Sequence, residues 1–246
     1  MMKNKSIEIL VNENFVYAKV LDYFGVQYYK SKNKTLQQVC QEHKINIGQL
    51  LEVIERAQHP ATIEASELKK FPARLIISYL KHAHELFIKD RLPFILKQID
   101  SLNAPLDQNL VNDLKMIIPM FVDDFIHHIY EEEDRLFSYI HDLECFIIGK
   151  TTSSKILINI DAFSIQEFAL HHGDSDDEMK GIRGITNEYK TDDIDDIQLK
   201  VIFKELQAFD QELTKHAHIE NNVLFPKALM LEKQAKEKLQ ITYSQN

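Results

Sequence analysis

His216-Ala217-His218-Ile219-Glu220-Asn221-Asn222-Val223-Leu224-Phe225-Pro226 is the stretch that decides how this chain is read. It sets a histidine and a glutamate four residues apart in a run with helical periodicity. Residues i and i+4 share one helix face, so the two side chains can converge on one point. Ile202, Leu206, Phe209 and Leu213 precede the pair and Leu224 follows it, in steps of three and four. That spacing puts His216 and Glu220 on the inward seam of a bundle helix. A glutamate there is costly unless it is paired or binds a metal.

A second copy lies upstream. Leu114, Ile118, Phe121, Phe125, His128, Glu132, Leu136 and Tyr139 follow the same seam. Two His-x-x-x-Glu pairs, each replacing core apolar residues in phase, are far more specific than one. Together they can bridge and cap two metal ions, but they need further nitrogen donors. Two other runs supply them: Ile77, Leu80, His84 and Phe87, and Ile165, Phe168, His172, Met179 and Ile182. The expected ligands are therefore His84, His128, His172 and His216, with Glu132 and Glu220 as bridges. The four histidines are evenly spaced, but no sequence repeat accompanies them, so the spacing is coincidental. The neighbouring His82, His127, His171 and His218 fall off the seam and read as solvated. Imidazole with carboxylate is a mixed N/O donor set that suits iron. Its order differs from the Glu-x-x-His of ferritin-like bundles. Asp124, Glu131 and Glu133 are candidates to orient the histidines. Tyr130 and Tyr139 are candidates to reach the site, Tyr139 reading equally well as core. Asp176 reads either as an extra ligand or as a polar turn residue.

Bulk properties exclude several classes. The chain has 246 residues, 44% hydrophobic and 27% charged, as in a soluble globular protein. A net charge of −9 argues against a nucleic-acid surface. No apolar run reaches the roughly 18 residues a membrane span needs. Met1-Met2-Lys3-Asn4-Lys5 has no apolar core after it and is no secretory signal. Cys40 and Cys145 are far apart and form no CxxC, so free thiols in a reducing cytoplasm are expected. Hydrolase chemistry has no support: a nucleophile elbow, a phosphate loop and HExxH are all missing.

The expected architecture is all-α, with a small helical domain at 1–62 and a four-helix bundle at 72–240. In the small domain, Val16 to Phe24 reads as a helix stopped by Gly25. Thr35 caps a second helix, and Ile47 to Ala57 forms a third. The stretch His59 to Ser66 reads as a linker. The bundle helices read as Pro72 to Leu102, Asn109 to Ile148, Ser164 to Tyr189 and Ile197 to Lys236, with bends at Pro93 and Pro119. Gly149 to Asn159 reads as a connection with an extended piece at Ile156 to Ile158, and Thr242 to Asn246 as a frayed tail.

At this level the residues resemble a known family. His216 with Glu220 to Pro226 resembles the last ligand helix of the repair-of-iron-centres proteins, the ScdA/YtfE type, which are hemerythrin-like. His128-Ile129-Tyr130-Glu131-Glu132-Glu133 with Leu136-Phe137 is similar to their second ligand helix. His84 ahead of Arg91-Leu92-Pro93, and His172 ahead of Ile182-Arg183, resemble the first and third. Phe24-Gly25-Val26-Gln27-Tyr28-Tyr29 with Thr35-Leu36 resembles the ScdA-type N-terminal domain. The resemblance implies a hemerythrin-like bundle holding two non-haem iron ions, oxo- or hydroxo-bridged, on the six residues named above. It implies O2 or NO at that centre, and repair of iron–sulfur proteins damaged by nitrosative or oxidative stress. It allows a homodimer, and implies neither a nucleic-acid nor a membrane partner. One departure is marked. The family's adjacent cysteines and the glycines after them are replaced here by Tyr29-Lys30 and Ser31-Lys32, which cannot exchange disulfides. That leaves a second reading: a hemerythrin-like O2- or NO-binding or sensing module without repair activity.

Overall fold

The computed structural model describes residues 2–58, 65–102, 108–175 and 177–244; the side chains of 171–175 and 243 lie outside it. The described residues are helical. Among them there is no strand, and a single bridge joins Ser6 and Thr35. None of the described helices is long and apolar enough to cross a membrane. Residues 59–64 of the expected linker His59 to Ser66 fall outside the described residues, and Ala65 and Ser66 begin the helix Ala65–Leu68 instead.

The chain divides into two compact units. The first joins Met1–Thr62 to Pro93–Ile117 and Gly181–Asp210. Its helices include Ile7–Glu13, Val16–Tyr23, Leu36–Glu42 and Ile47–Gln58. The Ser6 hydroxyl caps the first. Thr35 and Gln38 form a reciprocal capping box on the third, satisfying two backbone donors at once. Gly25 takes φ +75° after Val16–Tyr23, the left-handed conformation that ends a helix cheaply in glycine. Four such short helices enclose little apolar area by themselves. Phe94, Ile197 and Val201 complete the core they share with Leu21, Leu36 and Leu50.

Tyr28 ties this unit together. It is fully buried and opens the 3-10 turn Tyr28–Lys30. Its hydroxyl donates to Gln98 Oε1 at 3.0 Å, and Gln198 Nε2 donates to the Gln98 carbonyl at 2.9 Å. Burial, reinforced by Asp22, pushes the Tyr28 hydroxyl well above the usual phenol range. Cys40 is a buried core residue, and its burial raises the thiol.

The second unit joins Ile63–Leu92, Ile118–Lys180 and Gln211–Asn246. Ser138–Ile147 packs against Phe225–Ser244 and against Ser153–Ala162, and Ile165–Ser175 packs on Phe225–Ser244. Leu80, Leu136, Phe137, Ile140, Leu143, Val223 and Leu224 form the middle of its core.

Several boundaries differ from the sequence reading. The expected extended piece at Ile156 to Ile158 is part of the helix Ser153–Ala162. Thr152 caps it from the Lys155 amide, and Ile156 is fully buried. An N-cap and a buried face outweigh the strand preference of a β-branched run. The expected third helix is divided into Ile165–Ser175 and Lys180–Ile185. The last helix runs on to Ser244, with Thr242 Oγ1 donating back to the Lys238 carbonyl. Pro119 lies inside Gln108–Glu131 without dividing it, whereas Pro93 is the second residue of the helix Leu92–Asp100, which follows the wide turn Phe87–Arg91.

Replacing Tyr28 by phenylalanine removes the donor to a buried amide oxygen. The expected cost is about 1–2 kcal/mol. It is read as a lower urea midpoint at unchanged m-value.

Candidate metal centre

Three wide π-turns interrupt the helices of the second unit: Phe87–Arg91, Glu132–Phe137 and Glu220–Leu224. Such turns are rare and occur mostly as single insertions at functional sites. Two of them begin on the two seam glutamates. The third begins three residues after His84.

His84, Glu132, His216 and Glu220 converge. Their donor atoms all lie within 4.8 Å of one another. His84 Nε2 stands 3.0 Å from His216 Nε2 and 3.4 Å from Glu132 Oε2. His216 Nε2 is 3.2 Å from Glu220 Oε1. Ligands on one metal at ~2.1 Å, set between a right and a tetrahedral angle, are ~3.0–3.4 Å apart. The observed spacings match that range. His84, Glu132 and Glu220 are each only 1% exposed. Two carboxylates at that depth call for positive charge between them, as protons or as a cation. The buried group His84, Glu132, His216 and Glu220 could hold a metal ion.

The proton on His84 is placed by its neighbour. Its Nδ1 lies 2.9 Å from Glu133 Oε1, and a carboxylate can only accept. Nδ1 therefore donates, which leaves the Nε2 lone pair facing inward in the neutral ring. Phe137 stacks on this ring at 5.8 Å and 8°. The Phe87 ring meets His216 edge-on at 5.8 Å. Burial pushes the Glu133 carboxyl up, but the hydrogen bond from His84 and the Lys81 ammonium outweigh it and hold it below the usual range.

His128 stands beside this group. Its Nε2 is 3.1 Å from Glu132 Oε1, and its side chain is 32% exposed. The two oxygens of Glu132 thus face different histidines. His172 lies on the helix Ile165–Ser175, with its side chain outside the described set; Asp176 and the side chain of His171 are outside it too. Glu178, which sequence reading missed, has Oε1 3.9 Å from His128 Nε2. Nothing in its local sequence marks it beyond its place one residue before the seam residue Met179.

The off-seam histidines His82, His127 and His218 are exposed, and His218 contacts the Asn222 amide at 3.1 Å. Of the three carboxylates expected to orient histidines, Glu133 is in hydrogen-bond contact with a histidine, His84. Asp124 is exposed, and Glu131 pairs with Arg135. Tyr130 is exposed, while Tyr139 packs on Phe163 in the core at 5.0 Å. A scan of the sequence against protein-family models finds no match.

Metal-free Glu220→Gln is expected to melt at or above metal-free wild type, because it removes a buried carboxylate. It should also lose most of the rise that a bound divalent metal ion would give wild type, about 2.7 kcal/mol at ~100 times Kd. Calorimetry under argon reads both.

Proposed function

We propose that this chain is a non-haem di-iron protein of the repair-of-iron-centres type, with a hemerythrin-like four-helix bundle behind a ScdA-type N-terminal domain. One observation carries the reading: Glu132 turns Oε1 to His128 and Oε2 to His84, the attitude of a carboxylate between two metals. His84, His216 and Glu220 gather with Glu132, and His128 stands at its other oxygen; the proposed ligand set adds His172 by its seam position, with Glu132 and Glu220 as the bridges. An N/O donor set of this make-up suits iron. A bound iron pair supplies a redox change and an open coordination position for a diatomic molecule. The chain's own residues supply the rest. Glu132 and Glu220 offset the metal charge, Phe87 and Phe137 keep water from the histidine rings, and the partly exposed His128 leaves a side for O2 or NO to approach. The proposed role is repair of iron–sulfur proteins after nitrosative or oxidative stress in the cytoplasm.

A second reading is a module that binds or senses O2 or NO without repair. Tyr29 and Lys30 favour it, since they stand in the 3-10 turn where the family's cysteine pair would be. A stable oxy spectrum would support it, and rapid autoxidation would count against it.

Protein purified without oxygen is expected to hold about two irons per chain and to develop near-ultraviolet oxo-bridge bands in air. Glu132→Ala with Glu220→Ala should abolish both. Zinc, no metal, or unchanged iron in the double variant would reject the reading.

A further inference from the structure

We infer that Glu133 is the positioning residue of this centre: backed by Lys81, its carboxylate fixes the His84 imidazole so that Nε2 faces the metal. The inference rests on His84 and Glu132 being metal ligands, as proposed above.

Three contacts carry it, all from one wide turn. Within Glu132–Phe137, Glu132 Oε2 lies 3.4 Å from His84 Nε2 and Glu133 Oε1 lies 2.9 Å from His84 Nδ1. Phe137 stacks against the ring face. Consecutive glutamates therefore address the two nitrogens of one ring, one from the metal side and one from behind. The hydrogen bond from Nδ1 excludes the tautomer with its proton on Nε2, which would block that atom as a ligand. The stacked phenyl ring limits tilting of the imidazole plane.

Glu133 is itself held. Lys81 Nζ sits 3.0 Å from Glu133 Oε2, so each carboxylate oxygen has its own cationic or N–H partner. Lys81 and His84 lie one turn apart on the helix Ala73–Leu86. Glu133 is thus tied to that helix at two points. Glu133 and Asp134 both line a cavity of about 450 Å³, together with Arg74, Lys81, Ser138 and His141. Solvent reaches the outer side of Glu133, whereas His84 is 1% exposed. Asp134 carries the same charge in the same cavity but no bond to His84, which makes it the internal control. Carboxylates that orient metal-bound histidines raise ligand basicity and fix ring direction, and their loss typically costs 10–100-fold in metal affinity.

The test is anaerobic Fe(II) binding in competition with a chromophoric chelator, for wild type, E133Q, E133A and D134N. Metal-free melting temperatures are measured alongside. E133Q keeps an acceptor but loses the charge, and should weaken binding about tenfold; E133A should approach about 100-fold. D134N should match wild type. Cobalt(II) absorption should change in E133A, because the His84 nitrogen no longer holds its direction. Metal-free E133Q and D134N should melt with wild type and metal-free E133A somewhat lower, for the lost partner of buried His84; a merely structural role would lower melting without grading metal affinity from E133Q to E133A. E133Q binding as tightly as wild type would overturn the inference. So would D134N losing as much as E133Q, which would reduce Glu133 to one negative charge among several. If wild type binds no Fe(II), the metal reading falls and the inference with it, a result distinct from tight binding that ignores position 133.

Discussion

Two carboxylates at 1% exposure in an apolar helical core are the constraint from which the second unit follows. In low dielectric an unpaired carboxylate is strongly disfavoured. Two of them, facing each other across imidazole nitrogens, are tolerable only around positive charge. The same apolar surroundings that make them costly also strengthen any cation they hold. The aromatic rings at 87 and 137, the hydrogen bond behind His84 and the Lys81 ion pair are all arranged around that requirement.

The inward glutamates were legible because helix phase is a local property. Counting threes and fours along each run places Glu132, Glu220 and His84 inside, and each is buried. The same count separates them from His82, His127 and His218, which are exposed. His128 lies on the seam too, yet stays partly open, because phase says which way a residue points and not how much chain covers it. Glu133 was one of three equal candidates. What singles it out is a partner 49 residues away, and no local pattern encodes such a neighbour. The helix Ser153–Ala162 was hidden for the reverse reason: its β-branched residues read as strand until burial of Ile156 decides otherwise. The membership of Phe94, Ile197 and Val201 in the first unit's core is likewise a long-range fact, invisible to any window of sequence.

The wide turns did leave a trace. Along both ligand seams the steps alternate between three and four, except at the glutamates. There His128, Glu132 and Leu136, and again His216, Glu220 and Leu224, take two fours in succession. Two turns then hold eight residues, more than the 3.6 per turn of an α-helix allows without drift. The structure absorbs the extra length as the π-turns Glu132–Phe137 and Glu220–Leu224. A doubled four at a buried acid is thus a readable mark of a widened helix.

His84 and His216, whose Nε2 atoms stand 3.0 Å apart, are 132 positions apart in the chain. A chain emerges from the ribosome from its N-terminus, at roughly 5–20 residues per second. His84 is therefore exposed to the cell on the order of ten seconds before His216 and Glu220 exist to meet it. During that interval the early half of the site offers at most an incomplete set of donors, which holds a metal weakly. Any metal ion this group holds is consequently gripped by the full donor set only in chains made past Glu220. A truncated product that stops before His216 carries His84 without its later partners, so any metal ion it meets is held weakly.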